Sequence, residues 1–451
     1  MKATFRIRAP FTGAAAERSS ILRPHPRPAP STPIRAASGF AVRPRRGGCF
    51  AGHVPRIICP GASISSRFYS ISHRTKESTS SSPKPPSFAF AFDIDGVLLH
   101  VAKPIPGATR TLEFLQENNI PFILLTNGGG KHEIDRVADL SARLGIRLST
   151  DNFIQSHTPF QELVHHGPNG EEGKGLRDKN ILVTGSDAAR CREIAEKYGF
   201  KHVITPADIL AAHPSIWPFE PLMESLYAAT ARPLPTPNPK IDAIFVFNDP
   251  RDWALDIQII ADLLQSRAGV LGTYSPKNDD PRLDNHGWQR DGQPALYFSN
   301  PDLLWSAAYP HPRFGQGAFQ AALAGVWHEV TGGAALLERT TIGKPHATTY
   351  AYAERVLNAH RAQVLGVGPG DLGPLGRVYM VGDNPASDIR GANEYRSPAG
   401  TPWTSVLVRT GVWSPERGGD PAFKPAVVVD DVKAAVEWAL GREGWDVGKG
   451  V

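Results

Sequence analysis

Two patterns of apolar positions alternate between residues 88 and 440. Short apolar runs, most of them closed by glycine or a polar residue, are separated by longer stretches whose apolar side chains recur every three or four residues. The first pattern predicts buried strands and the second predicts helices packed on them. Strand-like runs occupy 88–92, 122–125, 181–184, 241–247, 378–381, 404–408 and 426–429. Helical spacing covers 108–118, a segment beginning near Lys131, 188–198, 253–264, 319–326, 348–357 and 431–440. A further helix is expected from Leu303 onward, with Asn300 as N-cap and Pro301 in its first turn. The strand at 88–92, the helix at 108–118 and the strand at 122–125 make a βαβ unit, which requires a parallel sheet. The predicted class is α/β, a doubly wound parallel sheet.

From about 154 to 300 the sequence changes character, and its strands and helices read as an inserted α/β domain. Polar loops at 167–180, 231–240 and 277–294 separate them; loops of this length are either functional or without regular structure. After 301 the first pattern resumes. The expected organisation is a core in two parts, 87–153 and 301–451, interrupted by an insert at 154–300.

The net charge of +5 hides an asymmetry. Residues 1–86 hold 12 Arg and 3 Lys against Glu17 and Glu77, a balance of +13, which leaves 34 basic and 42 acidic residues, or −8, in the body. The body therefore gives no reason to expect nucleic acid or an anionic membrane as partner. The leader is rich in Arg and Ser and nearly free of acid, the pattern of an organellar transit peptide. Arg67-Phe68-Tyr69-Ser70 resembles a site cut by matrix processing peptidases. Residues 1–70 thus read as a mitochondrial presequence directing the chain to the matrix and 71–86 as a linker, with a disordered cytosolic tail as the alternative. No apolar stretch approaches the ~20 residues of a membrane span. Beyond the leader only Cys191 remains, and its helical setting suits packing better than nucleophilic chemistry.

Candidate chemistry collects where the strands end. Asp93 and Asp95 follow the first run and precede Gly96, placing two carboxylates at the rim where α/β sheets bind ligands. They repel unless a cation lies between them or one is protonated, although Asp and Gly also make ordinary turns. Thr126-Asn127-Gly128-Gly129-Gly130 ends the next run, where a hydroxyl, backbone N–H groups and a helix start suit an anion; a ligand-free glycine turn reads the same way. Lys344, between Gly343 and Pro345, is a fixed cation suited to a transferring phosphoryl group, or a solvated lysine. Asp383 and Asp388 follow the run at 378–381. Asn248-Asp249-Pro250 follows another, with Asp252 a plausible helix cap.

Taken in order, Asp93-Ile94-Asp95-Gly96, Thr126-Asn127, Lys344 and Gly382-Asp383 with Asp388 resemble the haloacid dehalogenase (HAD) superfamily. The insert resembles a type-two cap. Asn300-Pro301-Asp302 and Gly343-Lys344-Pro345 are similar to subfamily IIA, and Thr126–Gly130, Asn248-Asp249-Pro250 and the leader are similar to its cat eye syndrome critical region protein five group. Gly128 departs from other IIA members, which usually carry asparagine there.

The resemblance implies a HAD-like Rossmannoid core, the cap and a Mg²⁺-dependent phosphatase. In it Asp93 attacks phosphorus to form an aspartyl-phosphate, and Asp95 protonates the leaving oxygen and then deprotonates water. Asp93, the backbone carbonyl of Asp95 and Asp383 hold Mg²⁺, with Asp388 orienting that shell or Lys344. Thr126, Asn127, Gly128 and Lys344 meet the phosphoryl group. A roofed site implies a small phosphorylated metabolite, and the family permits a link to glycerophospholipid metabolism. The alternatives are a non-catalytic binding or regulatory protein and, among enzymes, a phosphomutase.

Overall fold

Phe88–Phe92 is a strand buried along its whole length. It lies inside a six-stranded sheet whose order is Val427–Val429, Trp403–Val408, Arg377–Gly382, Phe88–Phe92, Phe122–Leu125 and Phe153–Ile154. Every pairing in it is parallel. The alternation of ring and methyl along the first strand decides the layers, because successive side chains point to opposite faces. Phe88, Phe90 and Phe92 fill one face, against Leu112 and Leu115 of helix Ala108–Glu117 and Val432 and Val436 of helix Val432–Arg442. Ala89 and Ala91 leave room on the other face for Tyr350, Ala353 and Leu357 of helix Ala347–Leu365. The computed structural model describes residues 85–167, 170–305, 307–445 and 451. The expected presequence and nearly all of the linker lie outside the described residues.

A second sheet, also wholly parallel, orders Thr340–Thr341, Ala295–Phe298, Ala243–Val246, Asn180–Thr184 and His202–Ile204. Helices Trp253–Gln265 and Gln316–Val330 pack on one face of it and Ala188–Tyr198 on the other.

Two expectations need correction. No helix follows Leu303: Leu304–Trp305 and Arg313–Phe314 pair as an antiparallel hairpin. The Asn300 side chain accepts from the Asp302 N–H at 3.0 Å, making a local turn, and Pro310 and Pro312 prevent helical continuation. The helix begins only at Gln316. Nor does the second sheet's unit end at 300. A parallel partner for Ala295–Phe298 requires a crossover helix, and Gln316–Val330 supplies it before Thr340–Thr341 joins the edge. Phe319, Leu323 and Trp327 of that helix belong to the second core.

The polar loop at 277–294 is largely exposed or half-buried but anchored at Trp288. Trp288 is buried edge-on against Trp327 at 5.6 Å, and Arg290 bridges Asp284 at 2.7 Å and Glu338.

Candidate active site

Parallel register gathers the site. Phe92 pairs with Val381 on one side and Leu124 on the other, so Asp93, Asp383 and Thr126 emerge at the same edge of the sheet. The Asp93 N–H donates to Val381 O at 2.9 Å, which keeps its carboxylate in line with the strand. The chain then turns back at Gly96, where φ is +92° and a Cβ would lie 2.4 Å from Asp383 Oδ2. Glycine is required there for both reasons.

Three carboxylates, Asp93, Asp383 and Asp388, place oxygens within 4.8 Å of one another, and all are buried. Lys344, 1% exposed, lies against two of them: Nζ is 2.6 Å from Asp93 Oδ1 and 2.8 Å from Asp388 Oδ1, and it donates to Leu125 O at 2.7 Å. Asp93 and Leu125 thereby take hydrogen bonds from the ammonium, while Asp388 Oδ1 is held by charge alone and has no hydrogen-bond donor of its own. Burial alone would lower the Lys344 pKa, but Asp388 and Asp93 outweigh it and hold the ammonium above its ordinary range. Burial raises Asp93 to about 7, Lys344 opposing and Asp388 reinforcing the rise. Burial and the charges of Asp93 and Asp388 hold Asp383 well above the usual carboxylate range. Asp383 Oδ2 accepts from Val412 N at 2.6 Å, and Asp388 Oδ2 accepts from Asn384 N at 3.0 Å.

One ammonium cannot neutralise three buried carboxylates. Hard oxygen donors with excess negative charge suit a hard divalent cation, and Asp93, Asp383 and Asp388 could hold one. The Asp95 side chain stays outside this triad. It is 45% exposed to the cavity and 3.9 Å from the Arg136 guanidinium. The surrounding protein raises its pKa, with Arg136 opposing.

The expected phosphoryl contacts divide. Thr126 Oγ1 accepts from Gly128 N at 2.9 Å and keeps its own hydrogen to donate. Gly128 leaves the space between Thr126 and Asp95 open, since a Cβ there would lie 3.2 Å from Thr126 Oγ1 and 3.6 Å from Asp95 Oδ2. Asn127 is different. Its Nδ2 donates to Asp302 Oδ2 at 3.0 Å and to Lys344 O at 2.9 Å, while its Oδ1 accepts from Lys344 N at 2.8 Å. One amide hydrogen goes to Asp302 and the other, with the amide oxygen, clamps the Lys344 backbone, so both hydrogens are engaged within the protein and the expectation that this amide holds a phosphoryl oxygen gives way to a positioning role.

These elements surround a cavity of about 300 Å³ that includes Asp93, Asp95, Thr126, Lys344, Asp383 and Asp388 in its lining. Residues 90–201 match the family profile described as haloacid dehalogenase-like hydrolase, and residues 341–435 match one described as HAD-hydrolase-like. A mitochondrial hydrolase of Saccharomyces cerevisiae is 40% identical over 372 residues, covering 78% of this chain and 96% of that protein. The chain belongs to the haloacid dehalogenase-like hydrolases.

A Schizosaccharomyces pombe cardiolipin synthase (CMP-forming) / mitochondrial hydrolase fusion protein is 42% identical over 371 residues, 81% of this chain; the chain spans 56% of that protein's length. Among solved structures, a hypothetical protein of Pyrococcus horikoshii aligns with a TM-score of 0.49 at 20% identity, over 78% of this chain and 99% of that one. By the profile matches and the Saccharomyces relative, the protein is an enzyme of the HAD superfamily, and its own sheets make a parallel α/β core carrying a second α/β sheet.

Several residues of this HAD-like hydrolase site escape sequence reasoning. Asp302, pushed up to about 7 by burial, receives the Asn127 amide, and Asn300 Nδ2 donates to Asn127 O at 3.1 Å. Their signal, Asn300-Pro301-Asp302, is visible but reads equally as a helix start. Gly130 N donates to His157 Nε2 at 3.3 Å, and His157 Nδ1 meets Tyr198 OH at 2.7 Å. Burial lowers His157 to about 4, so the ring is neutral, with its proton on Nδ1. Arg136, Arg251, Leu304 and Trp305 also line the cavity. As the sequence suggests, Asp252 caps its helix, accepting from Leu255 N, and Cys191 is a packing residue whose thiol burial pushes up to about 12.

Proposed function

We propose that this hydrolase is a Mg²⁺-dependent phosphomonoesterase that works through an aspartyl-phosphate on Asp93, acting on a small phosphorylated metabolite in mitochondria. The observation that carries the reading is the buried triad of Asp93, Asp383 and Asp388 closed by Lys344. Mg²⁺ held by Asp93, Asp383 and Asp388, with the carbonyl of Asp95, would supply the charge that neutralises the phosphoryl oxygens.

Asp93 attacks phosphorus, and the ester oxygen departs with a proton from Asp95. The raised pKa of Asp95 keeps that proton available, and its exposure to the cavity lets the same carboxyl take a proton from water in the second displacement. Lys344 opposes the protonation that burial favours at Asp93, and its charge adjoins the charge that builds in transfer. The Thr126 hydroxyl and the backbone around Gly128 receive the phosphoryl oxygens. Asn127 keeps Lys344 in place.

The Arg-rich leader and the names of the two yeast relatives support a mitochondrial location, and the cardiolipin synthase part of one name supports a link to glycerophospholipid metabolism. The test is phosphate release from a panel of phosphorylated metabolites, with Mg²⁺ or with chelator, beside Asp93→Asn. Turnover that needs Mg²⁺ and vanishes in Asp93→Asn supports the reading. Equal turnover by Asp93→Asn, or none from any phosphate ester, rejects it.

A further inference from the structure

Large hydrophobic side chains are exposed at fifteen described positions, and five of them, Leu303, Leu304, Trp305, Tyr309 and Phe314, fall in or beside the hairpin of Leu304–Trp305 and Arg313–Phe314. Their exposure runs from 36% at Leu304 to 69% at Phe314. Single exposed apolar residues need no explanation, whereas this concentration, with Leu304 opposite Phe314 on one face of the hairpin and Trp305 opposite Arg313 on the other, marks an interaction element.

The surface is continuous with the catalytic cavity. Leu304 and Trp305 belong to both, and Arg136 and Arg251 line the same cavity. The Trp253 ring, 6.5 Å from Phe314, joins the hairpin to the loop that carries Arg251. Anything covering the hairpin therefore sits at the entrance. A protein partner or a second copy seated there would obstruct the substrate's path, but a surface that itself contains the substrate would deliver it.

The residue types fit a lipid surface. Trp305 and Tyr309 combine an apolar ring with a polar atom, as residues at a membrane interface do, while Leu303 and Phe314 offer purely apolar ends. From 303 to 328 the chain has no acidic residue, and Arg313 lies 4.6 Å over the Tyr309 ring. Lipid phosphates would meet Arg313 at the lip and Arg251 within it. The negative balance of the body confines such contact to this lip.

We infer that the hairpin docks on a bilayer bearing phosphomonoester lipids and that their terminal phosphate is a substrate, an inference that rests on the phosphatase reading. The bond from phosphorus to the lipid oxygen breaks, the lipid leaves as an alcohol with the proton from Asp95, and water supplies the oxygen that completes inorganic phosphate.

The test uses the full chain, vesicles of phosphatidylcholine with and without phosphatidic acid, and the double variant Tyr309→Ser with Phe314→Ser, whose positions lie outside the cavity lining. Wild type is expected to float with phosphatidic acid vesicles and release their phosphate. The double variant should lose vesicle binding and lipid cleavage on the order of tenfold, yet hydrolyse soluble para-nitrophenyl phosphate as wild type does, which also reports its folding. The inference is overturned by wild type that does not float, by a double variant that binds and cleaves vesicles equally well, or by a wild-type dimer that the double variant dissociates with vesicle cleavage unchanged. Soluble hydrolysis without flotation defeats this inference alone. Absence of hydrolysis of either substrate defeats the phosphatase reading and this inference with it.

Discussion

Asn127→Ala separates two roles for the best-connected side chain of the site. Asn127 is 8% exposed and makes three hydrogen bonds, two of them to the Lys344 backbone and one to Asp302. Truncation leaves a buried N–H, a buried carbonyl and a half-buried carboxyl without this partner. Each such group costs about 1–3 kcal/mol, and water entering from the cavity recovers part, so a loss on the order of 3 kcal/mol in stability is expected. The kinetic effect is the sharper one. Lys344 Nζ sits 2.6 Å and 2.8 Å from two carboxylates because its backbone is clamped, and a displacement of about 1 Å costs on the order of 10²-fold in rate. Steady-state kinetics with para-nitrophenyl phosphate should show that fall in kcat with KM little changed. Asn127→Asp keeps the acceptor for Lys344 N–H, loses both donated bonds and places a second carboxyl beside Asp302, so it should do no better. A large rise in KM with kcat preserved would mean that the amide binds substrate and would refute the positioning argument.

Gly96→Ala should abolish activity and destabilise the fold by roughly 2 kcal/mol or more, because the new Cβ meets Asp383 Oδ2 in a left-handed turn; near-normal activity with an unchanged melting curve would contradict this. Asp256, buried with its carboxyl accepting from Thr184 at 2.8 Å, has its pKa raised by burial from 3.8 to about 8. Its folded pKa exceeds its unfolded one, so its contribution is present below pH ~4 and is lost as pH rises through about 8. Relative to wild type, Asp256→Asn should therefore gain stability across that interval, by at most on the order of 5 kcal/mol; a difference that stays flat with pH in denaturant titrations refutes this. Mg²⁺ at a hundredfold excess over its Kd should add about 2.7 kcal/mol to the stability of wild type, read as a thermal shift, and Asp383→Asn should remove it.

Five of the six core strands were legible because each is a short apolar run ending in a polar residue, whereas Phe153–Ile154 is two residues long and gives no such signal. The alternation of Phe and Ala in 88–92 even carries the layer assignment, large rings to one side and close helix approach on the other. The second sheet was harder. His202–Ile204 and Thr340–Thr341 are too short for a periodic signal, and parallel pairing joins residues far apart in sequence. The hairpin after Asn300 is not legible in the sequence because Asn-Pro-Asp is an equally good start for a helix or a turn. Asp93, Thr126, Lys344, Asp383 and Asp388 could be chosen as strand-end or loop chemistry, and the structure brings them to one cavity. Sequence could not show where the Asn127 amide points, since its partners Asp302 and Lys344 lie 175 and 217 residues away. Nor could it show the apolar lip, whose side chains are unusual only for their exposure.

The covalent step can be observed on the polypeptide itself. An aspartyl-phosphate trapped during turnover and reduced with borohydride becomes homoserine, which peptide mass spectrometry locates. The account predicts homoserine at position 93, dependent on both substrate and Mg²⁺ and absent from Asp93→Asn. Homoserine at another aspartate, or steady turnover with none formed at 93, would contradict it.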